Sequence, residues 1–148
     1  MTEPTDADLA WMRAAISWSL RCPPLADRFN VGAIVVARGE ELAYGYSRED
    51  DDTVHAEESA LGKLAGHNLT GATVYTTLEP CSVRASRPLT CTQLILAAGI
   101  ARVVYAIREP PFLVDCDGVE QLEAAGLIVV ETPTLAAAVR EANPGIPW

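Results

Sequence analysis

The chain has 148 residues, 49% of them hydrophobic, with 11 Lys and Arg against 20 Asp and Glu and a formal net charge of −9. That length suits one domain with a real core, and no apolar run is long enough for a membrane span. The acidic balance disfavours a long nucleic acid, whose sequence-independent affinity comes from basic side chains neutralising phosphates, so a small-molecule substrate is expected.

No internal repeat, linker or composition break divides the chain, and residues 1–148 read as one unit with 1–7 a flexible lead. That lead is acidic and lacks the basic start and apolar run of a secretory signal, which points to the cytoplasm and to reduced thiols. Leu9, Met12, Ile16 and Leu20 fall at helical spacing beside Trp11 and Trp18, predicting an amphipathic helix over 8–21 that Pro23 and Pro24 end. The tryptophans read as core. Residues 31–37 and 41–46 read as a hairpin around Arg38, Gly39 and Glu40. The acidic run 49–52 reads as a solvated loop that favours the positive start of a helix over 54–64. Then come a β-branched strand over 72–77, a helix over 91–98, a strand over 102–107, a helix over 119–125 and a strand over 127–131. Gly99 and Gly126 stand where helix C-caps belong. Right-handed crossovers make the last three strands parallel, and the whole becomes an α/β mixed five-stranded sheet with helices on both faces. A short helix over 134–142 and an irregular tail over 143–148 finish the chain.

Chemistry gathers at helix starts. His55 and Glu57 open one helix, Cys81 follows Pro80 after a strand, and Cys91 opens another helix behind a capping pair, Thr90 and Gln93. One imidazole and two thiolates are three ligands for Zn2+, which prefers four, so water takes the open position and its pKa falls to about 7. Glu57 then works that water. The pattern His-x-Glu, Pro-Cys, Cys is the signature of zinc deaminases. The positive start of its helix lowers a thiol pKa, so Cys91 is expected to be poised as thiolate before metal arrives. Cys22 and Cys116 read as reduced structural thiols and His67 as a turn residue.

The stretch from about residue 29 to 131 resembles the cytidine deaminase superfamily, most closely the pyrimidine deaminase domain of riboflavin biosynthesis. The resemblance rests on Asn30-Val31-Gly32, on His55-Ala56-Glu57, on the run from Gly71 through Pro80-Cys81-Ser82, and on the run from Ala97 through Gly99 to Val104. It implies the three-layer fold of that superfamily, zinc on His55, Cys81 and Cys91, Glu57 as proton shuttle, Asn30 at the pocket floor against the substrate ring, and a homodimer. Between its cysteines the chain inserts residues 82–90, where riboflavin-type relatives have a shorter insert with two histidines after Cys-Ser; Val83 and Arg84 stand there instead. Arg84 and Arg87 on this insert are either solvated charges or an anion site, and Phe29 and Phe112 either packing or stacking residues. The expected reaction is hydrolysis of an exocyclic amine on an aminopyrimidine nucleotide or nucleoside. The alternatives are a cytidine, deoxycytidylate, cytosine, purine-base or specialised-metabolite deaminase, and a zinc scaffold without catalysis.

Overall fold

A computed structural model describes residues 2–110 and 115–148. The elements run α1 (Asp6–Ser19), β1 (Gly32–Ala37), β2 (Glu40–Tyr46), α2 (Ala56–Gly62), β3 (Thr73–Leu78), α3 (Cys91–Ala97), β4 (Arg102–Ile107), α4 (Gly118–Ala124), β5 (Ile128–Glu131), a 3-10 turn (Pro133–Leu135) and α5 (Ala136–Glu141). One mixed sheet holds all five strands in the order β2-β1-β3-β4-β5. Strand β1 is antiparallel to both neighbours, and β3, β4 and β5 are parallel, as the crossover argument expects.

Element ends shift for local reasons. Helix α1 opens at Asp6, not residue 8, because Thr5 and Asp8 cap it reciprocally: Asp8 N–H donates to Thr5 Oγ1 (3.1 Å) and Thr5 N–H to Asp8 Oδ2 (2.9 Å). Residues 6 and 7 therefore belong to the helix rather than to the flexible lead. Glu40 joins β2 because the hairpin needs only Arg38 and Gly39, both at positive φ (53° and 75°), to turn. The last helix divides into the 3-10 turn, which begins at Pro133, and α5.

Cross-strand register puts Gly32, Tyr44, Tyr46, Tyr75 and Arg102 on one face of the sheet. Helix α1 covers that face. Trp18 stacks on Tyr44 with 3.7 Å between centroids and Trp11 packs on Tyr75 at 6.3 Å, so both tryptophans are packing residues. Gly32 permits the close approach, since a Cβ there would strike the carbonyl of Ala15. The opposite face carries α2, followed in a row by α3 and α4. At the α2 contact Gly45 plays the same part, and a Cβ would strike the carbonyl of Ala56. Met12, Ile34, Val35, Val74, Ile95, Val103, Val104 and Leu122 fill the two interfaces and are wholly buried.

Candidate active site

All five strands share one sheet, so the direction of each decides what stands at its ends. The start of β1, the end of β2 and the ends of parallel β3 and β4 meet along one edge, where a cleft of about 170 Å³ opens. Phe29 and Val31 stand just before β1, Ser47 and Arg48 just after β2, Leu78 at the end of β3 with Glu79 and Cys81 beyond it, and Glu109 just after β4; His55 and Glu57 come from the start of α2.

His55 is the extended N-cap of α2 and Cys91 the first residue of α3. His55 Nδ1 lies 3.4 Å from Cys91 Sγ and 3.6 Å from Cys81 Sγ, and one ligand atom from each of the three residues falls within 4.8 Å of the others. The loop bearing Cys81 is fixed from both neighbouring helices. Thr92 N–H donates to Cys81 O (3.1 Å), Thr92 Oγ1 donates to the same carbonyl (2.9 Å), and Gly118 brings α4 directly against Pro80 O. The capping pair forms as expected, with Gln93 N–H on Thr90 Oγ1 (3.2 Å) and Thr90 N–H on Gln93 Oε1 (2.9 Å).

One expectation about the thiols is corrected. The first N–H of α3 points not at its own cysteine but at Cys81, with Cys91 N to Cys81 Sγ at 3.2 Å. Hydrogen bonding from Cys91 and from His55 overcomes burial and drives the Cys81 thiol down to about 4. Cys91 goes the other way, pushed up by its neighbour Cys81 and by complete burial. Glu57 is 4% exposed; burial pushes its carboxyl up to about 7, and the Cys81 charge adds to the rise.

The insert is not an open basic loop. Arg84 has a side chain only 2% exposed, and its Nη2 donates to Glu58 Oε1 (2.8 Å) and Thr53 O (2.7 Å). Arg87 donates to Glu58 Oε2 (3.1 Å) and Asp51 Oδ2 (2.7 Å). Neither guanidinium lines the cleft; both clamp the insert onto the start of α2. The acidic run is likewise engaged rather than merely solvated: Glu49 accepts from Ser59 Oγ (2.6 Å) and Lys63 Nζ (2.9 Å).

Phe29 lines the cleft and packs on Trp148 at 5.7 Å. Asn30 stands behind the wall instead of on it: its Oδ1 accepts from Arg48 Nη2 (2.6 Å) and its Nδ2 donates to Ala142 O (3.0 Å). Phe112 lies outside the described residues. Three cleft residues have no role assigned by the sequence, although Glu79 belongs to the run that carries the family resemblance. Arg48 is disguised in a polar loop. Glu79, 2% exposed, accepts from Glu109 N–H (3.2 Å) and Val119 N–H (3.1 Å) and so joins β3 to β4 and α4. Burial pushes the carboxyl of Glu109 up to about 7.

An imidazole and two thiols converge beside a buried carboxyl at the edge of an α/β sheet, and a nitrogen with two sulfurs is a donor set that suits zinc. Residues 5–107 match the cytidine and deoxycytidylate deaminase zinc-binding region, and the chain belongs to that family. It is 39% identical over 142 residues to the diaminohydroxyphosphoribosylamino-pyrimidine deaminase of Schizosaccharomyces pombe, covering 93% of this chain and 35% of that protein. It is 43% identical over 114 residues to the riboflavin biosynthesis protein RibD of Aquifex aeolicus, covering 77% of this chain and 31% of that one. The chain thus spans about a third of the length of these curated relatives. Among solved structures, the deaminase/reductase of Thermotoga maritima superposes with a TM-score of 0.82 at 32% identity, over 92% of this chain and 39% of that one. Aspergillus oryzae Rib2 deaminase in complex with DARIPP gives 0.79 at 25% identity, over 95% of this chain and 92% of that one.

Proposed function

We propose that this chain is a zinc-dependent deaminase that replaces the exocyclic amine of diaminohydroxyphosphoribosylaminopyrimidine by a carbonyl and releases ammonia. The observation that carries the reading is the convergence of His55, Cys81 and Cys91 within 4.8 Å beside buried Glu57. The donors fit zinc: they are one nitrogen and two sulfurs, one thiol is already driven towards thiolate, and no fourth protein ligand joins them among the described residues. Zinc held there supplies a Lewis acid that makes water a nucleophile at neutral pH. Glu57 takes one proton from the attacking water and passes it to the ring nitrogen next to the amine-bearing carbon; it then takes the second proton, from the hydroxyl now on that carbon, and gives it to the amine, which leaves as ammonia as the carbon–nitrogen bond breaks and the carbonyl forms. Its position in the first turn of α2 keeps that carboxyl buried and aimed into the cleft.

The substrate is argued from the relatives' names and from the cleft wall. Arg28 and Arg48 are the cations that line it, so a phosphate on the substrate meets them rather than Arg84 and Arg87. No helix among the described residues is long and apolar enough to cross a membrane. Four free cysteines suit a reducing compartment, and we place the protein in the cytoplasm. Val83, Leu89 and Leu25 are exposed on the insert and the adjoining loop, which supports a homodimer closing over the cleft. The test is ammonia release by zinc-loaded protein from diaminohydroxyphosphoribosylaminopyrimidine, deoxycytidylate and cytidine in parallel. Preference for the first is the expected result. Turnover of deoxycytidylate alone would move the assignment to that substrate, and no turnover of any of the three would overturn it.

A further inference from the structure

We infer that Asn143, just beyond α5, is a positioning residue for the cleft: it fixes Asn30 and, through Asn30, the guanidinium of Arg48. Asn143 is 2% exposed and grips both main-chain groups of Asn30 as a neighbouring strand would. Its Oδ1 accepts from Asn30 N–H (2.6 Å), and its Nδ2 donates to Asn30 O (3.2 Å) and to Val139 O (2.9 Å). Its own carbonyl accepts from Trp148 Nε1 (3.3 Å), whose ring packs on Phe29. The Asn30 side chain then reaches Arg48, so one chain of hydrogen bonds runs from the segment after α5 to the cleft wall.

Arg48 is worth such support. It is 8% exposed, sits at φ 61° where a non-glycine residue is strained, and lines the cleft. Its guanidinium bonds only neutral oxygens: Pro23 O (2.9 Å from Nη2), Phe29 O (3.0 Å from Nη1) and Asn30 Oδ1. Among the described residues no carboxylate pairs with it. With no carboxylate paired to it, the guanidinium keeps its charge for an anionic group entering the cleft, and the neutral acceptors fix its direction. Loss of Asn143 frees the main chain of Asn30, and with it the acceptor that aims Arg48. This inference rests on the proposal that the cleft takes a phosphorylated aminopyrimidine.

The test uses the zinc-loaded full chain as wild type, Asn143→Ala, Arg48→Ala and the double variant. Asn143→Ala is expected to lower amide-exchange protection of residues 23–31 by about tenfold while β3 stays protected. KM for diaminohydroxyphosphoribosylaminopyrimidine should rise about tenfold with kcat within about twofold, because ground-state binding is what is lost. In the Arg48→Ala background the same change should add less than about twofold, since both act through one guanidinium. Full additivity, an unchanged KM, or protection lost evenly across the sheet would each overturn the inference. If Asn143→Ala does not fold, Asn143→Asp keeps the acceptor for Asn30 N–H, removes both donors and decides the matter by the same comparisons. If the wild type releases no ammonia from this compound, the functional proposal fails separately, and the local exchange change alone decides the link from Asn143 to the 23–31 loop.

Discussion

Glu57 and Glu58 are neighbours that work in opposite directions. Glu57 points into the cleft and is proposed to move protons, so Glu57→Gln should retain zinc while cutting turnover by about a hundredfold or more. Metal analysis and ammonia release on one preparation check both halves, and near wild-type turnover would show that another group carries the protons. Glu58 instead holds Arg84 and Arg87, and its Oε1 also accepts from His55 N–H (3.2 Å). Glu58→Ala should therefore weaken zinc binding about ten- to hundredfold, as losses behind a ligand commonly do, and leave Arg84 buried without its partner. Competition with a chromophoric chelator measures it; unchanged affinity would confine Glu58 to stability. At this scale the sequence is readable where a side chain's chemistry and spacing suffice, as for His55, Cys81 and Cys91. Asn143 is unreadable because its meaning lies in Asn30, 113 residues away, and Arg48 because its partners, Pro23 O, Phe29 O and Asn30 Oδ1, lie 18 to 25 residues before it in the chain.

Among the elements, periodicity made α1, the hairpin and the strand–helix rhythm legible, and the glycines at 99 and 126 do take positive φ (77° and 92°). What periodicity hides is the polar tie across α1, β3 and β4. Asp8, 2% exposed, accepts from Arg102 Nη1 (2.7 Å), Arg102 Nη2 (2.6 Å), Tyr75 Oη (2.8 Å) and Thr5 N–H. Burial alone would raise this carboxyl; the Arg102 hydrogen bonds, with those of Thr5 and Tyr75, outweigh it and hold it well below the usual carboxylate range. Burial and the Asp8 charge push the Tyr75 phenol up to about 12. A depressed folded value means the stabilisation is complete above the unfolded Asp pKa of about 3.9 and is lost progressively as pH falls from there through the lower folded value. Asp8→Asn should lower stability at pH 7 by about 2 to 3 kcal/mol and flatten the acid limb below about pH 4. Urea midpoints at pH 7, 4 and 3 test this, and parallel losses in variant and wild type would assign the acid limb to other groups.

Across the whole molecule, the carboxyl ends of β3 and β4, the outgoing end of β2 and the incoming end of β1 collect on one edge, so the cleft follows from topology once the strand order is known. Strand order is what the sequence leaves open, because β1 could pair on either side of β3 without changing any local pattern. The apolar side chains exposed beside that edge, Val83 at 60% and Leu25 at 47%, belong to the proposed homodimer. Sedimentation should show a dimer at micromolar concentration, and Val83→Lys should shift it towards monomer. A wild-type chain that sediments as monomer with full activity would remove the second copy from the mechanism.

Gly45 gives the proposed metal site a further meaning. His55 rides at the start of α2 and Cys91 at the start of α3, and Gly45 sets how near α2 lies to the sheet. The proposed ligand triangle would then be a gauge of helix-to-sheet spacing, closing only when the layer beneath it is thin enough. A methyl group at residue 45 would act as a shim, lifting His55 from the two sulfurs while β2 stays paired. Zinc affinity would then report a dimension of the scaffold rather than any property of the ligands themselves.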